Sequence, residues 1–274
     1  MKRKLTLTVA IVLILSTFFS MSALAVVITP NGYNTTFATA QEIQRNQTTP
    51  ESRLAIDLSK EQVVVGTLPT LGAEHWYKVY LPANPLTVLS VNTYSATVDV
   101  YDASLNTLYS GFFVKDFVEG IAAVYVEILT AGWYYIKVYS GLGEYRMTIG
   151  NPNYNLDTLT FPASTLTLGP GITSAETSID LTSTAGLPRD AIVYQVLLEG
   201  TRSGTVSNEK RSVKYANETN FMQGNIVFTV AVPTLQNKML ANNWTIKWEG
   251  TASATRTLAP AVRFRVIYPV LPPV

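Results

Sequence analysis

Hydrophobic and polar residues alternate with a period of two along most of this chain, which is the spacing of β-strands and not of helices. Residues 133–149 are the stretch around which the rest of the chain is organised. There Tyr134, Ile136 and Val138 share one face, and Gly141 lies where a tight turn must reverse the chain. The stretch therefore predicts a β-hairpin with one face toward a core.

Segments upstream of this hairpin have the same character and are separated by turn-rich stretches such as Pro69–Gly72. Residues 44–60 are polar and are interpreted as a solvated loop. No segment has a sustained helical period, so residues 26–150 predict a β-sandwich domain. Its other strands are expected at 63–68, 76–81, 86–92, 98–101, 105–109 and 122–128.

Strand-like alternation resumes after Gly150–Asn155, a small, polar segment with a proline that predicts a domain boundary. Residues 151–274 therefore predict a second sandwich, immunoglobulin-like or jelly-roll, and the fold class is all-β with two antiparallel β-sandwich domains in tandem. A basic cluster at Lys210, Arg211 and Lys214 is interpreted as a solvated loop. The strands are expected at 177–181, 192–198, 226–231, 244–248 and 262–268.

Residues 1–25 have the form of a signal peptide. Met1–Lys4 is positively charged, Leu5–Phe19 is largely apolar, and Ala23-Leu24-Ala25 matches a small-x-small cleavage site. The apolar run is short for a membrane span, which needs about 20 residues. We expect cleavage before Val26, so the mature chain is expected to be secreted, extracellular and without a membrane segment.

The amino-acid composition excludes several kinds of site and partner. The chain of 274 residues has no cysteine, which excludes disulfides and thiolate metal sites. Its formal net charge is +1, and removing Lys2, Arg3 and Lys4 from the 20 basic residues leaves 17 against 19 acidic ones. A near-neutral chain without a basic block gives no reason to expect nucleic acid as a partner.

Several segments of the first half, in this order, resemble the bacterial pre-peptidase C-terminal (PPC) domain over residues 31–149. The resemblance implies a β-sandwich module that is appended to secreted peptidases and serves in targeting or maturation. No family is identified for residues 151–274. The matching segments are Phe37–Ala40, Gly66–Leu68, Glu74–Leu81, Gly132–Val138 and Gly143–Ile149.

Some PPC domains bind calcium at an acidic start, and this chain departs from that pattern. Thr29–Asn34 has no carboxylate, and Thr97 stands where the family often has an acidic residue. Calcium takes six to eight oxygen ligands in proteins, and the remaining Glu74, Asp99 and Asp102 need not converge. We therefore expect no metal site and no cofactor.

The chain also lacks recognisable catalytic motifs, and its single histidine, His75, is interpreted as structural or solvated. We expect a non-catalytic protein that binds an extracellular polymer, the cell wall or a partner protein, with a peptidase accessory as one form of that role. One alternative is a secreted hydrolase with a carboxylate-based site in the second sandwich. Another is a structural protein of a surface layer or matrix.

The candidate binding residues lie on the face of two strands that points away from the predicted core. If the two strands belong to one sheet, five aromatic residues and two lysines share this face. A contiguous aromatic patch favours an interaction site, whereas packing on the second domain or simple cross-strand pairing is the structural alternative. The residues are Trp76, Lys78, Tyr80, Trp133, Tyr135, Lys137 and Tyr139.

Overall fold

The computed structural model of the chain describes residues 25–114 and 122–273. The fold is all-β, with several sheets packed as sandwiches, as the sequence predicted. The chain divides into two compact units. One runs to Pro152 and takes in the last residues from Pro272, and the other spans Asn153–Leu271. The predicted signal peptide up to Leu24 lies outside the described residues, and no described helix is long and apolar enough to cross a membrane.

Within residues 25–114 and 122–152, the first domain contains two five-stranded sheets, whose strand pairs are antiparallel except for β1/β3 and β2/β4. The first sheet has the order β1-β3-β10-β5-β8, with β1 (Val26–Ile28), β3 (Gln62–Leu68), β5 (Asn84–Thr93), β8 (Ala122–Ile128) and β10 (Gly143–Gly150). The second has the order β2-β4-β9-β6-β7, with β2 (Gln41–Ile43), β4 (Glu74–Leu81), β6 (Ser95–Tyr101), β7 (Thr107–Val114) and β9 (Gly132–Tyr139).

Alternate residues of both sheets form one apolar core, to which β9 contributes Tyr134, Ile136 and Val138 as predicted. His75 stands at the end of this core. Its Nδ1 lies 2.8 Å from the Tyr145 hydroxyl, which also contacts the Tyr77 hydroxyl, and burial lowers the pKa of the imidazole. His75 is therefore partly buried and lies within hydrogen-bond distance of a core tyrosine.

Two predictions for the first domain were wrong in detail. Within residues 44–60 the chain forms a short helix, α1 (Pro50–Leu54), because Thr49 caps its N-terminus and proline opens it. Strand β7 begins two residues later than predicted, because Asp102 accepts backbone hydrogen bonds from Ser104 and Asn106 and closes a turn.

The second domain also contains two sheets. One has the order β11-β19-β14-β17, with β12 pairing to β19: β11 (Tyr154–Pro162), β12 (Leu166–Leu168), β14 (Ile192–Arg202), β17 (Thr229–Ala231) and β19 (Arg256–Pro269). The other has the order β13-β18-β15-β16: β13 (Ser174–Asp180), β15 (Ser207–Tyr215), β16 (Met222–Gln223) and β18 (Asn243–Thr251). Trp244 and Trp248 of β18 are fully buried, and the Trp244 ring lies 5.0 Å from that of Phe264 on β19.

Two interpretations of the second domain are corrected. The strand predicted at 226–231 is only β17, because Asn225 accepts hydrogen bonds from the backbone of Val227 and Thr229 and forms a tight turn. Arg211 is not in a solvated loop. It is buried within β15, where its guanidinium binds Glu209 and the Leu198 carbonyl. The positive charge of Arg211 indicated a solvent-exposed residue in the sequence analysis. Its ion pair with Glu209 makes burial of that charge possible.

Candidate functional site

The candidate site lies on the outward face of the second sheet of the first domain. Strands β4 and β9 are antiparallel neighbours, and Trp76 pairs with Lys137, Lys78 with Tyr135, and Tyr80 with Trp133. Residues paired directly across two strands point to the same face. All seven candidate residues therefore share one face, as the sequence analysis required, but they divide into two groups.

At one end of this face the aromatic rings are covered. Phe37, in the short turn before β2, places its ring 4.1 Å from that of Tyr135 and 6.0 Å from that of Trp76. Trp76 in turn stacks on Tyr101 of β6 at 5.6 Å and retains only 8% of its surface exposed. We call Phe37, Trp76, Tyr101 and Tyr135 the covered cluster.

Charged side chains complete the hydrogen bonds of the covered cluster. The Glu74 carboxylate accepts the Trp76 indole N–H at 3.1 Å and pairs with the Lys137 ammonium at 2.5 Å. Burial opposes ionisation of Glu74, but these two partners outweigh it and hold the pKa of the carboxyl below its usual value. The Lys137 ammonium also lies over the rings of Trp76 and Tyr139, at 5.3 and 4.4 Å. These contacts stabilise the domain.

Asp99 of β6 lies on the same face and is 5% exposed. Its Oδ2 accepts a hydrogen bond from the Tyr101 hydroxyl at 2.7 Å, whereas its Oδ1 has no protein partner. Burial and this carboxylate raise the pKa of both Tyr101 and Tyr139 above the ordinary value of a phenol.

At the other end of the face two aromatic residues are open to solvent. Trp133 is 41% exposed and Tyr80 is 53% exposed, and their rings meet edge to face at 5.7 Å. The Lys78 ammonium lies 5.2 Å from the Trp133 ring and forms an ion pair with Glu42 at 3.3 Å. We call Tyr80 and Trp133 the open pair. This end of the face therefore exposes an indole ring and a phenol beside a paired lysine ammonium.

Sequence reasoning missed three members of this face. Tyr101 and Asp99 alternate with Val98 and Val100 along β6, so period two could have placed both on the outward face. Phe37 had no such signal, because it comes from a turn and not from a strand. Within the described residues, no group of three or more histidine, cysteine, aspartate or glutamate side chains is arranged to hold a metal ion.

No family model matches this chain, and no curated protein matches it significantly. Among solved structures, it is similar to a candidate secreted protein from Eubacterium rectale, with 13% identity and a TM-score of 0.55 over 88% of this chain and 83% of that chain. Identity this low shows a shared fold alone.

Two further solved structures are less similar. One is the pre-peptidase C-terminal domain of a collagenase from Bacillus anthracis, with 19% identity and a TM-score of 0.28 over 40% of this chain and 93% of that chain. The other is a tandem carbohydrate-binding module from Paenibacillus barcinonensis, with 9% identity and a TM-score of 0.20 over 74% of this chain and 87% of that chain. TM-scores this low establish no shared fold.

Proposed function

We propose that this chain is a secreted, non-catalytic binding protein whose first domain contacts an extracellular polymer through the open pair. One observation carries the proposal: Trp133 and Tyr80, two large aromatic side chains, are adjacent and solvent-exposed on paired strands of one sheet. Exposed tryptophan and tyrosine are the residues on which binding energy most often concentrates. The PPC-like first domain and the predicted signal peptide support an accessory role outside the cell.

The lysine beside the open pair suits a polymer with polar groups along an apolar face. Sugar rings and extended peptides both have this character, because flat C–H surfaces stack on an indole while polar groups reach a nearby ammonium. Cell-wall material falls within the same class of ligand. The domain needs no catalytic group for this role, and none is proposed.

The test is co-sedimentation of the full chain with insoluble polymers: cellulose, chitin and peptidoglycan, with collagen as a protein polymer. Wild type is expected to bind at least one of them. Replacing Trp133 and Tyr80 together by alanine should weaken binding by about thirtyfold or more, since a hot-spot aromatic contributes about 2 kcal/mol or more. Tyr94→Ala is the matched control, because Tyr94 is an exposed tyrosine in the turn between β5 and β6.

Two results would refute the proposed function: no binding to any of these polymers, or full binding by the double variant. Secretion is tested separately by the intact mass of the exported protein, which should begin at Val26. If the full-length chain, with residues 1–25 still attached, is found in the membrane fraction, the export prediction is wrong. The binding prediction is not affected by that result.

A further inference from the structure

The second domain contains a depression of about 640 Å³, within the range of about 300–1,000 Å³ typical of small-molecule sites. One wall is the loop from Asn217 to Asn220 between β15 and β16. The other runs from Ala231 at the end of β17 through the turn Thr234–Gln236 to Lys238. Two loops from separate parts of the second domain's sequence therefore form one concave surface.

Lys238 is the unusual residue of this surface, since it lines the depression although only 4% of it is exposed. Its ammonium binds the Glu218 carboxylate and lies 5.0 Å from the centroid of the Tyr215 ring. The Tyr215 hydroxyl is itself fixed, because it accepts hydrogen bonds from the Met239 N–H at 3.3 Å and the Asn242 amide at 2.9 Å. Burying an ammonium is costly without such partners, and these partners hold it at one position.

The ion pair is asymmetric, because the Glu218 side chain is 41% exposed while that of Lys238 is almost fully buried. The two charges cancel, so the depression favours neither an anion nor a cation as ligand. Hydrogen-bonding capacity nevertheless remains. The exposed Glu218 carboxylate has about four lone-pair sites, of which its contact with the Lys238 ammonium uses only part.

The other lining residues add neutral polar groups and an apolar area at least as large. Asn217, Asn220 and Gln236 each carry an amide that both donates and accepts. Met222 and Pro233 supply apolar surface between them. No aromatic ring lines the depression among the residues that the structure describes. This lining suits an uncharged ligand that has both hydrogen-bonding groups and an apolar face.

We propose that this depression is a binding site for a neutral saccharide. Sugar hydroxyls both donate and accept, which matches the amides and the Lys238–Glu218 pair, and the C–H face of a sugar ring matches Met222 and Pro233. The site lies in the second domain and does not depend on the open pair or on the proposed function of the first domain. Its ligand is soluble and enters a pocket, whereas the open pair is a flat surface.

Calorimetric titration of the full chain with short neutral oligosaccharides of gluco, manno, galacto and xylo configuration tests the site. At least one should bind to wild type. Replacing both Asn220 and Gln236 by alanine should weaken binding by about tenfold or more, since each lost hydrogen bond contributes about 1 kcal/mol. Both residues are exposed, so the melting temperature should stay unchanged. Asn155→Ala on β11 removes an equally exposed amide away from the depression and should bind as wild type.

Lys238→Met provides a second variant, which removes the ammonium and keeps most of the side-chain volume. If it folds, it should also weaken binding at least tenfold, and if it does not fold, the Asn220/Gln236 variant decides. The site is refuted if no neutral oligosaccharide binds, if binding survives the Asn220/Gln236 change, or if only acidic oligosaccharides bind. A chain with Trp133 and Tyr80 replaced should bind the soluble sugar normally, which separates failure of this site from failure of the polymer-binding face.

Discussion

The two ends of one sheet face carry the same kinds of residue and differ in what covers them. Trp76 and Trp133 both point outward from neighbouring strands, and each has a lysine ammonium 5.2–5.3 Å from its ring. The Phe37 ring contacts the rings of Trp76 and Tyr135. The rings of the open pair contact each other instead. The covered cluster therefore acts as a small second core, whereas the open pair is exposed to solvent.

The largest expected effect is at the covered end. Replacing Trp76 by alanine removes a buried indole together with its contacts to Phe37 and Tyr101 and its hydrogen bond to Glu74. We expect the free energy of unfolding to fall by about 3 kcal/mol or more. Urea denaturation measures it, with Trp133→Ala as the matched control. A loss no larger than that of the control would show that the two ends are equivalent.

Phe37 should have the second-largest effect, because it supplies the cover. Its side chain is half-buried, so Phe37→Ala is expected to cost about 1–2 kcal/mol in lost ring contacts and apolar burial. The same change should expose Trp76 to solvent. Iodide quenching reports this exposure in a Trp133→Phe background, since Trp244 and Trp248 are fully buried. Unchanged quenching would mean that another segment covers Trp76.

Trp133→Ala should change stability least among the aromatic substitutions, by less than about 1 kcal/mol, because much of the ring is already in water. Its effect should appear in polymer binding instead. Thermal unfolding measures the change in stability, and co-sedimentation of the same sample measures the change in polymer binding. A destabilisation as large as that of Trp76→Ala would assign Trp133 to a packed surface and remove it from the binding site.

The smallest effect concerns the two ion pairs of this face. The folded state lowers the pKa of Glu74, so the carboxylate contributes stability above its ordinary value of 4.5 and loses that contribution as the pH falls. In Glu74→Gln, the decrease in melting temperature between pH 6 and pH 3 should therefore be shallower. Glu42→Gln, which breaks the more exposed pair with Lys78, should keep the wild-type slope. Equal slopes in all three proteins would contradict this difference.

Local periodicity determined the class of fold and the choice of face. Alternation along β9 correctly placed Tyr134, Ile136 and Val138 in the core, because a strand turns successive side chains to opposite sides wherever it lies. The same rule put the seven candidate residues on one face. It worked less well where turn chemistry competes with alternation, as in the loop around Asn225.

Only the tertiary structure decided which residues of that face are open. Phe37 covers Trp76 from 39 positions earlier in the chain, and Glu209 pairs with Arg211 so that a charged residue can be buried. The depression around Lys238 likewise arises where two separate loops converge. Alternation depends on the geometry of one strand and is therefore visible in sequence. The burial of an outward-facing ring, the pairing of buried charges and the shape of a depression depend on segments that are brought together by folding. The distances between such segments cannot be read from a pattern along the chain.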